Sequence, residues 1–419
     1  MSIDVELTLS QSLAFSALQT SKNVFVTGGA GTGKSFLIRH FRDTKEGSKI
    51  PVLASTGAAA ILLGGRTFHS FFGLGIMQGG PGRVFQKALE NKRLRKRLRT
   101  TDEIIIDEVS MLSHEVLDCA EKICRALREM EEPWGGMRVV AVGDFAQLPP
   151  VSRGTTVKEW GFLGEAWAES EFLNFELQEV MRTEDQDFLR VLNKIRVGIC
   201  DEEVSDFLEA RLMEDVDVDV PHLFSRRDQT EKFNLGRLAE IDEESRIYET
   251  KYSGDKTYVE TLMRDAPVPA SLELKRGALV MIRVNDPKQR FVNGTVGHIK
   301  SLREDSITID TGRRLLELEP FPFSYVDADG EERAHAINFP VTLAYASTIH
   351  KIQGATLDRA HIDLGNIWEP GQAYVALSRV RKTKDLSLIR WSPSSIKADP
   401  MVQSFYSSLV QNRKLKLKA

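Results

Sequence analysis

Eight consecutive residues, Gly28-Gly29-Ala30-Gly31-Thr32-Gly33-Lys34-Ser35, have the composition and spacing of a phosphate cradle, GxxxxGK[ST]. Glycines let a backbone curl until its N–H groups surround phosphate oxygens at the start of a helix. A lysine at this spacing reaches the β- and γ-phosphates, and the hydroxyl beside it suits Mg²⁺. Further along, Ile104-Ile105-Ile106-Asp107-Glu108 reads as an apolar strand ending in two adjacent carboxylates. Asp107 can join the coordination sphere of Mg²⁺ and Glu108 can polarise an attacking water. Two carboxylates point to hydrolysis of the nucleotide rather than to a nucleotide switch; alone, the pair would read as a strand running into an acidic turn. A third stretch, Gly143-Asp144-Phe145-Ala146-Gln147-Leu148-Pro149-Pro150, leaves another apolar run. There Gln147 can sense the γ-phosphate, with the stiff Leu-Pro-Pro coupling it to a neighbouring site; the plainer reading is a strand exit.

The elements that must position these groups follow from patterning. Asn23–Thr27, Val52–Ser55, Glu103–Ile106 and Val139–Val142 are short, apolar and partly β-branched, separated by helix-length segments, which predicts parallel strands in βα units. Gln11–Leu18 and Asp118–Met130 carry helical spacing. Between about Gly277 and Phe339 the pattern changes. Ala278–Val284, Thr295–Ser301, Ser306–Asp310 and Arg314–Leu318 alternate with turn signals such as Asn293-Gly294 and Thr311-Gly312, predicting a small inserted β-barrel. Val341–Ala346 returns to a buried-strand pattern, Ile349–Gln353 is helix-compatible, and Glu214–Val220 is an acidic connector.

A chain of 419 residues exceeds what one core usually serves, so at least two domains are expected. Hydrophobic residues at 42% and charged residues at 28% are ordinary for a globular protein, and no apolar run approaches the roughly 18 residues of a membrane span. The N-terminus lacks the basic-then-apolar layout of a secretory signal. Cys119, Cys124 and Cys200 form no disulfide framework, and His114, Cys119 and Cys124 do not converge as zinc ligands. An intracellular, reduced setting is expected. The net charge of −4 gives no global basic field, so any nucleic-acid contact must come from local clusters. Arg83–Arg99 is one: a phosphate-contacting arm or a solvated helix.

With these motifs in order, the chain resembles the superfamily-one helicases. Ser55–Ala60 and Thr67–Leu74 are similar to that group's Ia region, and Asp107–Met111, Pro133-x-Gly135-Gly136 and Gly143–Val151 resemble the signature of the petite-integration-frequency (PIF-type) DNA helicases, superfamily 1B, related to RecD and Dda. Leu177-x-x-x-Met181-Arg182 resembles motif IV, and Gly277-x-x-Val280-Met281 with Val292-Asn293-Gly294 the start of the inserted barrel. Ala346–Thr356 resembles motif V, Tyr374–Arg379 motif VI and Leu9-Ser10-Gln11 the Q motif. The ordered set spans nearly the whole chain.

The resemblance implies an α/β fold of two RecA-like P-loop lobes with a small SH3-like β-barrel inserted in the second. Lobe one would be 1–175, with an accessory wedge segment at about 73–100. Lobe two would be 176–250 and 339–410, the barrel 251–338, and 411–419 a basic tail. ATP would lie between the lobes with Mg²⁺ on Ser35 and Asp107, and Lys34, Glu108, Gln147, Arg182 and Arg379 would act on it. Gln11, Gly28, Gly29, Ala30, Gly31, Thr32, Gly33, Lys34, Ser35, Phe36 and Gly354 would surround the nucleotide. Ser55, Thr56, Phe68, His69, Asn293, Ser347, Thr348, His350 and Lys351 would hold the strand. Without the resemblance, Phe68, Phe71 and Phe72 read as core. The implied activity is ATP-driven 5′-to-3′ movement along single-stranded DNA and unwinding of forked or tailed duplex by a monomer, in DNA replication, repair or recombination. It would be cytoplasmic or nucleoid if bacterial or phage, nuclear or mitochondrial if eukaryotic. The alternatives are a RecD-like or RNA-directed motor, and an ATP-gated strand-binding translocase without strong unwinding.

Overall fold

The computed structural model describes residues 6–45, 50–56, 59–60, 66–75, 77, 80–150, 158–181, 183, 185–213, 217, 219–286, 290–326 and 331–416. Among these, six parallel strands build the first sheet in the order β3-β2-β4-β5-β1-β6. They are β1 (Val24–Gly28), β2 (Val52–Ala54), β3 (Arg66–Thr67), β4 (Glu103–Asp107), β5 (Arg138–Val142) and β6 (Leu173–Leu177). Both faces are covered, as a parallel sheet requires. Val24 and Val26 point toward α1 (Leu9–Leu18) and α2 (Lys34–Thr44), while Phe25 points the other way. On that second face lie the short α3 (Phe68–Phe71), α4 (Gly80–Glu90), α5 (Lys92–Arg99) and α6 (His114–Arg128).

In the basic segment the apolar side chains and two of the arginines pack on the first lobe, while Arg83, Lys87, Lys92, Arg93 and Lys96 stay exposed. Leu94 and Leu98 of α5 are fully buried, Arg97 donates to the Phe71 carbonyl at 2.8 and 3.0 Å, and Arg99 donates to the Leu127 carbonyl at 2.9 Å.

After α7 (Glu165–Glu169), α8 (Gln186–Arg196) and α9 (Glu202–Glu209) comes a second parallel sheet. Its order is β18-β7-β19-β20, from β7 (His222–Phe224), β18 (Ala346–Thr348), β19 (Ala360–Asp363) and β20 (Leu386–Arg390). Two parallel α/β sheets are what the sequence predicts for two lobes. Helix α10 (Arg227–Ala239) packs on β18 and β7. Between β7 and β18 the chain makes an antiparallel module, which contains α11 (Lys256–Asp265). Strands β8 (Ser245–Glu249) and β10 (Ser271–Lys275) pair with each other, and β9 (Lys251–Gly254) joins β15 (Phe321–Val326) and β16 (Glu332–Asn338). The remaining strands, β11 (Leu279–Ile282), β12 (Val296–Leu302), β13 (Ile307–Asp310), β14 (Leu315–Leu318) and β17 (Val341–Leu343), form a five-stranded sheet. One apolar core, including Leu274, Val280, Ile299, Ile309 and Phe323, fills this module.

Two expectations need correction. Val341–Ala346 is not one strand: β17 pairs with β11 inside the antiparallel module, whereas β18 begins the second lobe's sheet. Both halves are apolar because both are buried, so the pattern conceals the break. Ile349–Gln353 is a run of turns, closed by bonds from Lys351 N to Thr348 O (3.0 Å) and Gln353 N to His350 O (3.3 Å), before Gly354 turns left-handed at φ 78°.

The last helix, α13 (Pro400–Lys416), leaves the second lobe and returns to the first. There Val402 joins the core, and the Phe405 ring lies 4.3 Å from Phe162 and 5.4 Å from Phe145.

Candidate nucleotide site and strand-binding face

Strand β1 delivers Gly28 to the mouth of the first lobe, and the chain curls through left-handed Gly31 (φ 83°) and Gly33 (φ 84°) into α2. A side chain at Gly33 would also strike Gln11. Lys34 folds back onto its own loop, donating to the carbonyls of Gly28 (2.8 Å) and Gly29 (3.2 Å). Burial lowers its pKa, against the opposing pull of Asp144 and Glu108. Gln11 is buried, its amide donating to Thr32 O at 3.1 Å and its oxygen accepting from Thr8 N at 3.1 Å. Ser35 and Phe36 are exposed at the start of α2.

Facing the loop, Asp107 ends β4 and accepts from Glu108 N at 3.0 Å. Glu108 stands in the left-handed region (φ 51°, ψ 46°), a strained backbone for a side chain of its size. Burial first, and then Asp107, push its carboxyl up to about 7, and burial also raises Asp107. The pocket therefore disfavours two bare carboxylates, which a divalent cation would relieve. The oxygen donors on Ser35 and Asp107 are of the kind Mg²⁺ selects.

The second lobe reaches this place from the segments that resemble motifs V and VI. Gln353 donates to a Glu108 carboxylate oxygen at 3.3 Å, and its own amide oxygen is buried without a hydrogen-bond partner. The Tyr374 hydroxyl, on α12 (Gln372–Leu377), accepts from the Ala30 N–H at 2.7 Å, so it occupies a donor of the phosphate cradle. Arg379 lies near enough to lower the Glu108 pKa. It is buried, and its guanidinium donates to Val375 O (2.8 Å), Ala355 O (3.3 Å) and Ser378 Oγ (2.8 Å). The loop through exposed Gly354 forms part of this nest. Arg182 lies outside the described residues; the neighbouring Met181 N donates to Gly31 O at 2.9 Å.

A second seam between the lobes centres on Asp144, which is fully buried. Its carboxylate accepts from Arg196 at 2.9 and 3.3 Å, from the Tyr406 hydroxyl at 3.0 Å, from Ala146 N at 3.1 Å and from the Gln147 amide at 3.4 Å. Burial works against the charge, yet Arg196 and Lys34 hold the carboxyl below its usual range. Gly371, just before α12, has φ 75° and packs so closely on the carbonyls of Ala146 and Gln147 that no side chain fits there. Lys158 of the first lobe pairs with Glu369 of the second at 2.6 Å.

The residues proposed for strand contact divide. His69 and His350 are half-buried, and burial lowers both pKa values. Exposed Lys351 sits beside His350, and Thr348 accepts from Lys351 N at 3.3 Å. Thr56 accepts from Ala59 N at 3.2 Å, while Ser55 and Ser347 are part-exposed. Gly57 and Ala58 lie outside the described residues. The Asn293-Gly294 turn packs against Ala355 and Thr356, bringing the antiparallel module onto the second lobe's loop. Phe68 is a correction: it is fully buried, 4.6 Å from the Phe72 ring, and belongs to the first lobe's core. Trp368 is the residue missed. Its indole is 46% exposed and stacks with His350 at 6.1 Å, beside Arg226, Arg227 and Thr348 in one open concavity. An exposed tryptophan at the rim of a basic hollow offers a platform for a base. Its signal in the sequence, one aromatic in Asn366-Ile367-Trp368-Glu369, is slight.

Comparison with known proteins places the chain among relatives. The sequence model of the PIF1-like helicases matches residues 6–206. The ATP-dependent DNA helicase Pif1 of Bdellovibrio bacteriovorus is 49% identical over 407 residues, covering 96% of this chain and 92% of its own length. The chain spans 66% and 65% of its frog and zebrafish relatives. The structure of Bacteroides sp. Pif1 in complex with ADP-AlF4 matches with a TM-score of 0.84 at 29% identity over 98% of each chain. Bacteroides Pif1 bound to single-stranded DNA matches with a TM-score of 0.69 at 30% identity over 97% of each.

Proposed function

The chain belongs to the PIF1-like helicase family and is an ATP-dependent DNA helicase, and from that premise we propose that it moves 5′ to 3′ along single-stranded DNA as a monomer. The observation that carries the reading is the meeting of two incomplete half-sites. The first lobe presents Lys34, Ser35, Asp107 and Glu108; the second presents Gln353 and Tyr374 against them, with Arg379 close behind. Gln147, bonded to Asp144, would sense the γ-phosphate. One chain thus supplies both halves.

In this reading the N–H groups of Gly28–Ser35 hold the phosphates, and Lys34 exchanges its two carbonyls for phosphate oxygens. Glu108 orients the attacking water. Mg²⁺, held by Ser35 and Asp107, would neutralise charge on the β- and γ-phosphate oxygens. Tyr374 must give up the Ala30 N–H for the cradle to close on phosphate, so nucleotide binding and the position of the second lobe are linked. Arg379 leaves its carbonyl nest to meet transition-state charge, and Arg182 joins it. Arginines in this role contribute about 10³–10⁵ in rate in other phosphate-loop enzymes. Ser55, Thr56 and His69 on one lobe, and Asn293, Ser347, Thr348, His350, Lys351 and Trp368 on the other, grip the strand alternately. Single-stranded DNA and tailed or forked duplex are the substrates. A translocase with weak unwinding is the second reading. It draws on α4 and α5, whose apolar faces pack on the first lobe's core.

The test uses two forks, one with only a 5′ tail and one with only a 3′ tail, incubated with ATP and Mg²⁺. Opening of the 5′-tailed fork alone is expected, and loss of it in Lys34→Ala; opening of the 3′-tailed fork alone overturns the direction. DNA-stimulated ATPase with neither fork opened selects the weak-unwinding reading.

A further inference from the structure

The final helix carries a polar group that ordinary packing does not need. On α13, the Tyr406 hydroxyl donates to Asp144 (3.0 Å), accepts from Phe145 N (3.0 Å) and meets Thr27 Oγ1 at 2.8 Å. Its one hydrogen goes to the carboxylate, so Thr27 is the donor in that pair. Thr27 is the residue of β1 just before the phosphate loop. Phe145 and Asp144 belong to the segment that ends at Gln147. The tyrosine ring is covered by the Arg196 guanidinium, 4.8 Å from its centroid, and Arg196 closes α8 in the second lobe and is paired with the same Asp144. One hydroxyl therefore joins the strand feeding the phosphate loop, the segment bearing the γ-phosphate sensor and, through Asp144, a cation of the other lobe. Burial, with Asp144 beside it, raises the Tyr406 pKa, so the hydroxyl keeps its proton.

No other side chain type supplies this combination. Phenylalanine in its place would leave the Phe145 N–H facing an apolar edge and take one of three donors from the Asp144 oxygen that also accepts from Arg196 and Ala146 N, so Asp144 would keep its pull on the Gln147 amide with one restraint fewer. We propose that Tyr406 is a positioning residue for ATP hydrolysis: its hydroxyl fixes Asp144 and the Phe145 amide, and so sets where Gln147 stands relative to the phosphate loop as Arg196 moves with the second lobe. This rests on the assignment of Gln147 to the γ-phosphate given above.

Three variants of the full chain test it, assayed for DNA-stimulated ATPase below their thermal midpoints. Tyr406→Phe keeps the ring over Arg196 and removes only the hydroxyl. It is expected to lower kcat roughly tenfold, the size of one lost hydrogen bond to a charged group, with KM for ATP and affinity for single-stranded DNA changed little. Phe405→Leu loosens the same helix without touching Asp144, and is expected to lower the thermal midpoint with kcat nearly retained. Gln147→Ala reports on the premise. A Tyr406→Phe kcat no lower than that of Phe405→Leu, or an effect in KM rather than kcat, makes Tyr406 a packing residue and overturns the proposal while leaving the ATP site intact. Full turnover in Gln147→Ala removes the sensor itself, and the route through Tyr406 with it.

Discussion

Two seams join the lobes, and they are built from opposite materials. At Asp144 the contact is buried and over-determined: an ion pair, a tyrosine hydroxyl, two further donors and a glycine pressed against two carbonyls. At Glu108 it is sparse. Among the described residues one long hydrogen bond from Gln353 reaches Glu108, the Met181 N–H reaches Gly31 O, and the Tyr374 contact occupies a donor that phosphate would take. A molecule that hydrolyses nucleotide by closing needs one seam that keeps its register and one that opens. The denser bonding at Asp144 makes it the expected axle and the sparser bonding at Glu108 the expected gate, although the two lie in a single lobe interface.

The assignment can be broken at either seam. Arg196→Met leaves the Asp144 carboxylate buried without its cation, and unfolding in urea should show a loss of about 3–5 kcal/mol. The double variant Asp144→Asn, Arg196→Met should recover part of it. A single variant as stable as the parent would mean that Asp144 is no axle. Gly371→Ala adds a methyl where the φ is left-handed and the carbonyls of Ala146 and Gln147 leave no room. Displacing α12 by even about 1 Å should reduce DNA-stimulated ATPase roughly a hundredfold, with the fold retained by circular dichroism. Unchanged turnover would show that the seam tolerates slippage. The smallest effect belongs to the gate: Gln353→Ala should lower kcat by about three- to tenfold, the range for one hydrogen bond, and leave the thermal midpoint where it was. A fall in the midpoint as large as that of Arg196→Met would erase the distinction between the seams.

What the sequence disclosed follows the same division. The phosphate loop, the Asp107-Glu108 pair and the run to Gln147 are contiguous, and their chemistry depends on neighbours a few residues away, so residue type and spacing announce them. The parallel strands that carry them are announced by short β-branched runs. Arg196, Gly371, Tyr374 and Tyr406 act through partners in the other lobe, and nothing near them in the chain names those partners. Phe68 shows the reverse failure. The resemblance puts it with His69 on the strand-binding face, but a helix of one turn sends adjacent side chains in different directions, and Phe68 turns inward. A single aromatic in a loop, such as Trp368, has no periodicity to declare its exposure.

The return of the last helix bears on how the molecule is made. During synthesis β1 through β6 emerge first and can pair, but the aromatic floor of Phe25, Phe145 and Phe162 meets Phe405 only after the second lobe and the antiparallel module have been translated. Throughout that interval the nascent first lobe carries an uncovered apolar surface, the kind that recruits chaperones or other chains. The portion of this protein that begins folding earliest is thus the portion whose completion waits on the ribosome longest.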